Sequence, residues 1–374
     1  MKIITMLGTS LFENYFKDND NTTIKQYYED LKDKRANEYE RNKERIDKIK
    51  DAIQKWIKQK ANEAYKISAE VKSLKKISEE LNEDLEVYLL ASDTVLSKLA
   101  GEILKECIPE IIPACNIEQL KIIENLQIWD RKDFNKGMSN LIYEIYRISG
   151  YYWENIIINI TGGYKATIPY LTILAQLNQC PIYYIFEDTN ALIKIPNIPF
   201  SVSWINCDEI KSYFQEFQKL EKGIDNKSDY EKLKQSDFYT KYSYLIWEAE
   251  ETLAELNPIG KIIFEKCKSY TILVTEEVHE KIQKNKDLKR LFKDKFWKKE
   301  IRESKTENKN GHFVYDDGDN QLRIFYRKKD RLYVYAVFDD HKEYELYLKQ
   351  PYSEEILNKH KFKEILIKEE EDDV

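Results

Sequence analysis

The sequence predicts an α/β protein: a parallel sheet covered by helices and carrying a long helical insertion, then a helical linker and a small α+β domain. Three observations predict this arrangement. Short apolar runs alternate with helical patterns over the first 205 residues, a Gly-Gly turn joins one run to a helix, and residues 266–368 change to a basic helix and two alternating runs. Strands that are apolar throughout are typical of parallel sheets buried on both faces.

Four apolar runs define the predicted sheet. They are Lys2–Leu7, Asp84–Leu90, Ile156–Ile160 and Pro181–Phe186. Helical patterns separate them, which indicates parallel pairing. Ligands of open parallel sheets bind beyond the carboxyl ends of the strands. We therefore expect a ligand site where the segments that follow these strands come together.

Glycines and small polar residues follow three of these strands and are the predicted ligand-binding residues. The candidates are Gly8, Thr9, Ser10, Ser92, Asp93, Thr94, Thr161, Gly162, Gly163, Tyr164 and Lys165. Glycine lets the backbone turn tightly and approach a ligand, and the start of a helix from Lys165 to about Leu177 would attract an anion. Lys165 and Thr161 add a cation and a hydroxyl. A Gly-Gly pair alone is also typical of an ordinary strand-to-helix connection, but the three loops together predict a phosphate-bearing ligand.

A long insertion, about residues 22–82, separates the first two strands and contains neither Gly nor Pro. Its apolar residues recur at spacings of three and four, which predicts one or two long amphipathic helices. Such an arm either packs on its own domain or on a dimer mate, or it docks another protein. The sequence leaves these alternatives open.

The pattern changes again after Pro199. Helices are predicted over Asp208–Leu220 and Tyr230–Leu256, with a linker-like segment at Gly223–Ser228 between them. Asn257–Gly260 carries the Pro and Gly that end a helix. Residues 206–265 are therefore predicted to be a helical linker.

A small α+β domain is predicted over residues 266–368, followed by an acidic tail at 369–374. Its predicted elements are a strand at Tyr270–Thr275, a helix at Glu276–Phe292, two antiparallel strands at Gln321–Tyr326 and Arg331–Phe338 joined at Arg327–Asp330, and a strand end at His341–Tyr344.

Charge is divided unevenly between the domains. Residues 266–368 hold 25 Lys and Arg against 19 Asp and Glu, a net charge of +6. The whole chain carries −7, so the remainder sums to −13. A basic module on an acidic chain indicates a polyanionic partner, most simply RNA.

Composition narrows the class of protein. No apolar run approaches 18 residues, so no membrane span is predicted, and the short apolar start is a strand rather than a signal peptide. The five cysteines are scattered without a C-x-x-C pair. This usage predicts buried, reduced thiols in a cytoplasmic protein, and no metal site.

The strand followed by Gly8-Thr9-Ser10, together with the later Asn159-Ile160-Thr161-Gly162-Gly163-Tyr164-Lys165-Ala166, resembles the CARF family of CRISPR-associated Rossmann-like sensor domains. The likeness covers roughly residues 1–205. The chain has neither the G-x-G-x-x-G fingerprint after its first strand nor a Walker A loop. The resemblance implies a homodimer that binds a cyclic oligoadenylate, the second messenger of type III CRISPR systems. A two-fold cyclic tetra-adenylate would suit a two-fold dimer. Some members of the family also cleave their ligand, and the sequence leaves that activity open here.

The second domain resembles the RelE superfamily of ribosome-dependent mRNA interferases, over roughly residues 266–350. The matching features are the strand, the Lys-rich helix and the runs LRIFYR, LYVYAVF and DHKEY. The resemblance implies catalysis by Arg323 with His341 or Lys342 and with Tyr344 or Tyr347, and His312 is a further candidate. Arg is usual where His341 and Lys342 stand, so the general acid stays open.

Together the two resemblances imply a type III CRISPR ancillary effector: a cyclic-oligoadenylate-activated mRNA endoribonuclease that acts on ribosomes without a metal. The 2′-hydroxyl of the RNA attacks the adjacent phosphate while a base, an acid and cations assist. A HEPN ribonuclease is excluded because no Arg is followed by His at the R-x4-6-H spacing. A PD-(D/E)xK nuclease lacks its strand carboxylates here. A ribosome-independent ribonuclease and a DNA-binding transcription regulator remain alternatives.

Overall fold

The computed structural model describes residues 1–150, 153, 155–186, 191–196, 207–249, 253–296, 299–328 and 332–368. It divides the chain into two compact units, Met1–Lys266 and Cys267–Val374. The predicted acidic tail at 369–374, and Arg331 at the predicted strand start, lie outside the described residues.

The first unit contains a six-stranded sheet in the order β3-β2-β1-β4-β5-β6. Its strands are β1 (Lys2–Met6), β2 (Leu85–Ala91), β3 (Cys115–Ile122), β4 (Ile156–Asn159), β5 (Ile182–Ile185) and β6 (Leu192–Ile195). Neighbouring strands from β3 to β5 pair in parallel, and β6 pairs antiparallel to β5. The predicted α/β class, with a Rossmann-like parallel sheet, is confirmed.

Two strands were absent from the prediction because both lie at the edges of the sheet. β3 has one buried residue, Cys115, and β6 has none. An edge strand is covered on fewer sides, so its sequence lacks the continuous apolar run of a central strand.

The first unit has twelve α-helices and a β-hairpin among its described residues. The helices are α1 (Ser10–Asp18), α2 (Thr22–Leu31), α3 (Lys43–Gln59), α4 (Ala69–Leu81), α5 (Val95–Ile111), α6 (Arg131–Ser149), α7 (Ile168–Asn178), α8 (Cys207–Ser212), α9 (Phe214–Lys222), α10 (Lys227–Lys234), α11 (Asp237–Tyr242) and α12 (Pro258–Lys268), and the hairpin is β7 (Ile246–Ala249) with β8 (Leu253–Leu256).

Helices cover both faces of the sheet. Side chains of a strand alternate between faces, so Ile3 of β1 enters a core with the insertion helices while Ile4 enters a second core with α6 and α7. The insertion forms three helices, α2 to α4, rather than one or two. Its stripe of Ile46, Ile49 and Ile53 is buried in the core that contains Ile3, so packing on its own domain is confirmed.

The predicted helix Tyr230–Leu256 is wrong. Ser236 stops it, because its side chain accepts a hydrogen bond from the Tyr239 N–H and caps a new helix. Further on, the chain turns into the β7–β8 hairpin, whose Ala254 also pairs with Ile224. Local apolar spacing alone does not distinguish this hairpin from a helix.

The predicted linker is part of the first unit rather than a separate connection. Ile262 of α12 is buried in the core that also contains Ile145 of α6. The division between the units falls in the last turn of α12, which is followed directly by a strand of the second unit.

The second unit is an α+β fold around a six-stranded sheet in the order β10-β11-β12-β13-β9-β14. Its strands are β9 (Ser269–Thr275), β10 (Thr306–Lys309), β11 (His312–Tyr315), β12 (Arg323–Lys328), β13 (Leu332–Phe338) and β14 (Phe362–Lys368), and its helices are α13 (Glu276–Lys284), α14 (Lys286–Leu291), α15 (Lys299–Ser304), α16 (His341–Leu348) and α17 (Glu355–Lys359). β10 to β13 form an antiparallel meander, β13 pairs in parallel with β9, and β14 is antiparallel to β9. α13 and α14 cover one face, and α16 and α17 cover the other.

Two capping residues change the predicted elements of this unit. The Asn285 side chain accepts from the backbone N–H groups of Asp287 and Leu288 and splits the predicted helix into α13 and α14. Asp340 accepts from the N–H groups of Lys342 and Glu343 at 2.8 and 2.9 Å. The predicted strand end at His341–Tyr344 is therefore wrong, because this cap begins α16 there.

The cysteines divide into two groups. Cys107, Cys115 and Cys180 are buried free thiols, as predicted. Cys207 and Cys267 are disulfide-bonded, so the prediction of reduced thiols is wrong for these two. No helix of the described residues is long and apolar enough to cross a membrane.

Candidate functional site

The loops after β1 and β4 touch each other, and their glycines make this possible. A Cβ atom on Gly8 would lie 3.0 Å from the backbone nitrogen of Gly163, and one on Gly162 would lie 2.6 Å from the Met6 carbonyl oxygen. Gly163 has φ +83°, a conformation that side chains rarely adopt. The glycines are thus required first of all for the contact between the two loops.

Two adjoining cavities open at this edge of the sheet. The larger, of about 760 Å³, is lined by seven of the predicted ligand residues: Gly8, Thr9, Ser10, Thr161, Gly162, Gly163 and Lys165. The smaller, of about 230 Å³, shares Gly8, Thr9 and Gly163 and adds Ser92, Thr94 and Tyr164. Ten of the eleven predicted residues therefore lie around one continuous site.

Asp93 is the exception, because its carboxylate has structural partners and lines neither cavity. It accepts from the Arg35 guanidinium at 2.9 Å and from the Asn125 N–H at 3.1 Å. The hydrogen bond between Arg35 and Asp93 raises the pKa of Arg35. Asp93 thus ties the insertion to the loop after β3, and the structure gives no support to its predicted contact with the ligand.

Several of the predicted hydroxyl groups form hydrogen bonds to neighbouring parts of the protein. Thr161 donates to Asn159 Oδ1 at 2.7 Å and accepts from the Ile185 N–H at 3.1 Å, which joins the ends of β4 and β5. Thr94 caps α5 by accepting from the Ser97 N–H. These side chains hold the walls of the cavities, so fewer of the predicted hydroxyls are available to a ligand than the sequence suggested.

The helix start after the Gly-Gly turn is weaker as an anion site than predicted. Lys165–Thr167 forms a 3-10 turn, and α7 begins only at Ile168. Pro169 in its first turn has no N–H to offer. An anion here would gain less from the helix terminus than a regular first turn provides.

Glu70 of α4 lies in the floor of the larger cavity, and the sequence analysis missed it. Its side chain is fully buried, and its oxygens accept from the Gly8 N–H at 2.8 Å and from the Ser10 hydroxyl at 3.3 Å. A Cβ atom on Gly162 would overlap Oε1 of this carboxylate. One signal was available: Glu70 stands on the apolar stripe of α4, in helical register with the buried Leu74 and Ile77.

The charge around the larger cavity is nearly balanced. Its lining includes four lysines and three carboxylates, namely Lys17, Lys66, Lys72, Lys165, Glu13, Asp18 and Glu70. A buried carboxylate beside the Gly8 N–H occupies a donor that an incoming phosphate would otherwise use. Any anionic ligand therefore has to gain much of its attraction from the surrounding lysines.

In the second unit, three of the predicted catalytic residues belong to the face covered by α16. Arg323 precedes Phe325 by two residues on β12, which places both on this face. Its guanidinium lies 2.9 Å from Asp316. His341, with 78% of its side chain exposed, lies 3.7 Å from Glu345, and its ring is 5.7 Å from the ring of Tyr344.

Lys309 joins this group, although the sequence analysis did not single it out. Its ammonium lies 2.8 Å from Glu307 and 5.6 Å from the centre of the Tyr344 ring. The hydrogen bonds to Glu307 and then to Tyr344 raise the pKa of Lys309, so the group stays cationic. Lys342 is exposed at the start of α16.

His312 belongs to the core rather than to this exposed group. It is fully buried, with Nδ1 2.8 Å from the Tyr335 hydroxyl and Nε2 2.9 Å from the Gln350 carbonyl oxygen. The carbonyl requires Nε2–H as donor, so the Tyr335 hydroxyl donates to Nδ1, and burial lowers the pKa of His312. A ring with both nitrogens occupied is unavailable to a substrate. Tyr347 packs against the same ring, and burial raises its pKa.

Residues 65–198 match the model of a family described as CRISPR-associated protein (Cas_APE2256). The match begins just before α4, ends after β6, and spans a little over a third of the chain. It contains Glu70, the loop after β2 and the Gly-Gly turn, whereas the Gly8 loop and the second unit lie outside it. Over the segment that forms most of the larger cavity, the chain is similar to a CRISPR-associated protein.

Proposed function

We propose that the first unit is a CARF-like sensor that binds a cyclic oligoadenylate. The observation that carries this proposal is the cavity of about 760 Å³ at the carboxyl edge of the parallel sheet, where the glycine loops after β1 and β4 meet. Such an edge is where α/β sheets bind nucleotides. Most of this cavity lies within the segment that matches a CRISPR-associated family.

A cyclic tetra-adenylate is the preferred ligand of this proposal, bound across a homodimer. Its two-fold symmetry would let each protomer of a two-fold dimer offer the same cavity. Calorimetry should then give one ligand per dimer. Lys165→Ala should weaken binding by about 1–3 kcal/mol, because a charge-assisted contact is lost. One independent ligand per protomer, or unchanged affinity in the variant, would contradict this part.

Slow cleavage of the bound ring is a separate proposal for the same cavity. Thr9, Ser10 and Lys165 all line it and would orient a ribose 2′-hydroxyl against its phosphate. The measurement is a single-turnover incubation with excess protein. A ring that survives intact removes this activity and leaves the binding proposal standing.

We further propose that the second unit is a RelE-like, metal-independent mRNA endoribonuclease. Its support is the excess of positive charge over residues 266–368 and the presence of Arg323, Lys309 and His341 on or beside one face. Arg323 and Lys309 would stabilise the charge of a phosphorane, and His341 or Glu307 would move the proton.

We expect the endoribonuclease to depend on the ribosome, because the α16 face offers few side chains for acid–base catalysis. Among the residues that the structure describes, the best-exposed acid–base candidate, His341, has Glu345 as its only ion-pair partner. A ribosome that holds the RNA bent in line would supply several kcal/mol of the barrier through orientation. Protein with cyclic tetra-adenylate should therefore cut mRNA on programmed ribosomes and leave naked mRNA intact. Equal cutting of both would favour a ribosome-independent ribonuclease, and binding of duplex DNA without cutting would favour a transcription regulator.

A further inference from the structure

A third cavity lies on the insertion, beside the glycine loops. It has a volume of about 240 Å³ and is lined by Tyr65, Lys72, Lys75, Lys76 and Glu79. Tyr65 and Lys72 also line the larger cavity, so the two form one continuous depression. We call this third cavity the insertion groove.

The lysines of the groove lie on the solvent side of α4. Val71, Leu74 and Ile77 fill the core from the other side of the helix, and a charged outer face is ordinary for such a helix. Lys75 and Lys76 nevertheless differ from Lys43 and Lys48 of α3. On α3, Lys43 pairs with Asp47 and Lys48 with Glu44 at 3.1 and 2.7 Å.

Lys75 and Lys76 make no ion pair or hydrogen bond with any described residue, although Glu79 is one turn away. Tyr65, at the junction with the larger cavity, is 48% exposed. Cations without partners beside an exposed aromatic ring in a concave surface are the combination that binds a nucleotide, because the ring stacks a base and the cations hold a phosphate.

The larger cavity also needs this charge. Its lysines are nearly matched by carboxylates, one of which is buried at the Gly8 N–H. The groove adds Lys75 and Lys76 against Glu79 alone. The groove therefore adds as much uncompensated positive charge as the larger cavity has by itself, which favours a ligand with several phosphates.

We propose that the insertion groove is a second nucleotide subsite, in which Tyr65 stacks a base and Lys75 and Lys76 bind the phosphodiester that follows the one at the glycine loops. The ligand class is an oligoribonucleotide with at least two linked nucleotides. This inference rests on the proposed sensor function and deepens it. It also gives the helical insertion a role beyond packing, since α4 supplies the floor of one cavity and the wall of the next.

The test measures binding of cyclic tetra-adenylate to the full chain at several salt concentrations. Lys75→Ala/Lys76→Ala should weaken binding about tenfold and lower the slope of log affinity against log salt by about one. The matched control is Lys55→Ala/Lys58→Ala, which removes the same charge from the exposed side of α3 and should leave both quantities unchanged. Equal effects of the two double variants would contradict the proposed subsite. Both results would then be explained by a general electrostatic attraction between the ligand and the positive charge of the insertion.

Stacking is tested at Tyr65. Tyr65→Leu should weaken binding about tenfold, whereas Tyr65→Trp should preserve it, because stacking needs the aromatic face. Adenosine monophosphate, which fills only the glycine-loop subsite, should bind the wild type and the Lys75→Ala/Lys76→Ala variant alike, because neither lysine lines the larger cavity. If the wild type binds the cyclic ligand and the groove variants match the control, the groove inference is wrong and the sensor function stands. If the wild type binds no cyclic oligoadenylate, the sensor function itself is wrong.

Discussion

The two candidate sites of this chain are built from different materials. The candidate site of the first unit lies at the carboxyl edge of the sheet. It consists of backbone loops that meet at glycines, a buried carboxylate and hydroxyls that are hydrogen-bonded within the loops. The α16 face of the second unit consists of charged side chains paired with one another near the surface. Substitutions at the first site should therefore disturb structure and binding together, while substitutions at the second should remove activity with little effect on folding.

The largest effect is expected at the second site. Arg323→Ala, and separately the double variant His341→Ala/Lys342→Ala, should lower RNA cleavage by about 10²-fold or more, since each removes charge stabilisation or proton transfer from the transition state. Binding of cyclic tetra-adenylate should not change. The measurement pairs single-turnover cleavage on programmed ribosomes with calorimetry, and loss of both activities in one variant would contradict the separation of the sites.

Gly162→Ala tests the opposite behaviour at the first site. The new methyl group would overlap Glu70 Oε1 and lie 2.6 Å from the Met6 carbonyl oxygen, so the two loops must move apart. Overpacking of this kind costs about 1–3 kcal/mol in the free energy of unfolding, and ligand binding should fall with it. Gly150→Asn is the control, because Gly150 has no neighbour within 4 Å and its φ of +58° suits Asn. Equal stability of the two variants would contradict the tight loop contact.

Glu70→Gln tests whether the charge of the buried carboxylate weakens ligand binding. The amide oxygen still accepts from the Gly8 N–H, but the negative charge beside the bound phosphate is gone. Affinity for cyclic tetra-adenylate should rise by about 1 kcal/mol, the scale of one charge–charge repulsion over several ångströms near a protein surface. Weaker binding by Glu70→Gln would instead show that the ligand needs the carboxylate as an acceptor.

The smallest effect concerns His312 and the pH dependence of stability. Burial lowers its pKa below the ordinary 6.5, so the unfolded chain takes up the proton first. The stability from neutral His312 is complete above about pH 6.5 and declines as the pH falls from there towards the folded-state pKa. Thermal unfolding between pH 7.5 and 5 should show a flatter dependence in His312→Gln than in the wild type. Parallel curves would rule out this contribution.

Local sequence patterns predicted the central strands, the α/β class and the residues that gather at the carboxyl edge of the sheet. Central parallel strands must be apolar on both faces, and glycines are required where two loops touch. Both features can therefore be recognised in a short stretch of sequence. The roles of Glu70 and Lys309 depended on more than local pattern, because their partners Gly8 and Tyr344 lie far away in the chain.

Which polar side chains already have hydrogen-bond partners, and which are exposed to solvent, depends on how distant segments pack together. His312 is an ordinary catalytic candidate in the sequence, yet β11, β13 and the segment after α16 bury it between Tyr335 and Gln350. Thr161 and Asp93 stand at the expected edge, but partners from distant segments use their polar atoms. A polar side chain can contact a ligand only if it is exposed to solvent and its polar atoms are not already hydrogen-bonded. Segments far away in the chain determine both conditions, so local sequence spacing does not predict them.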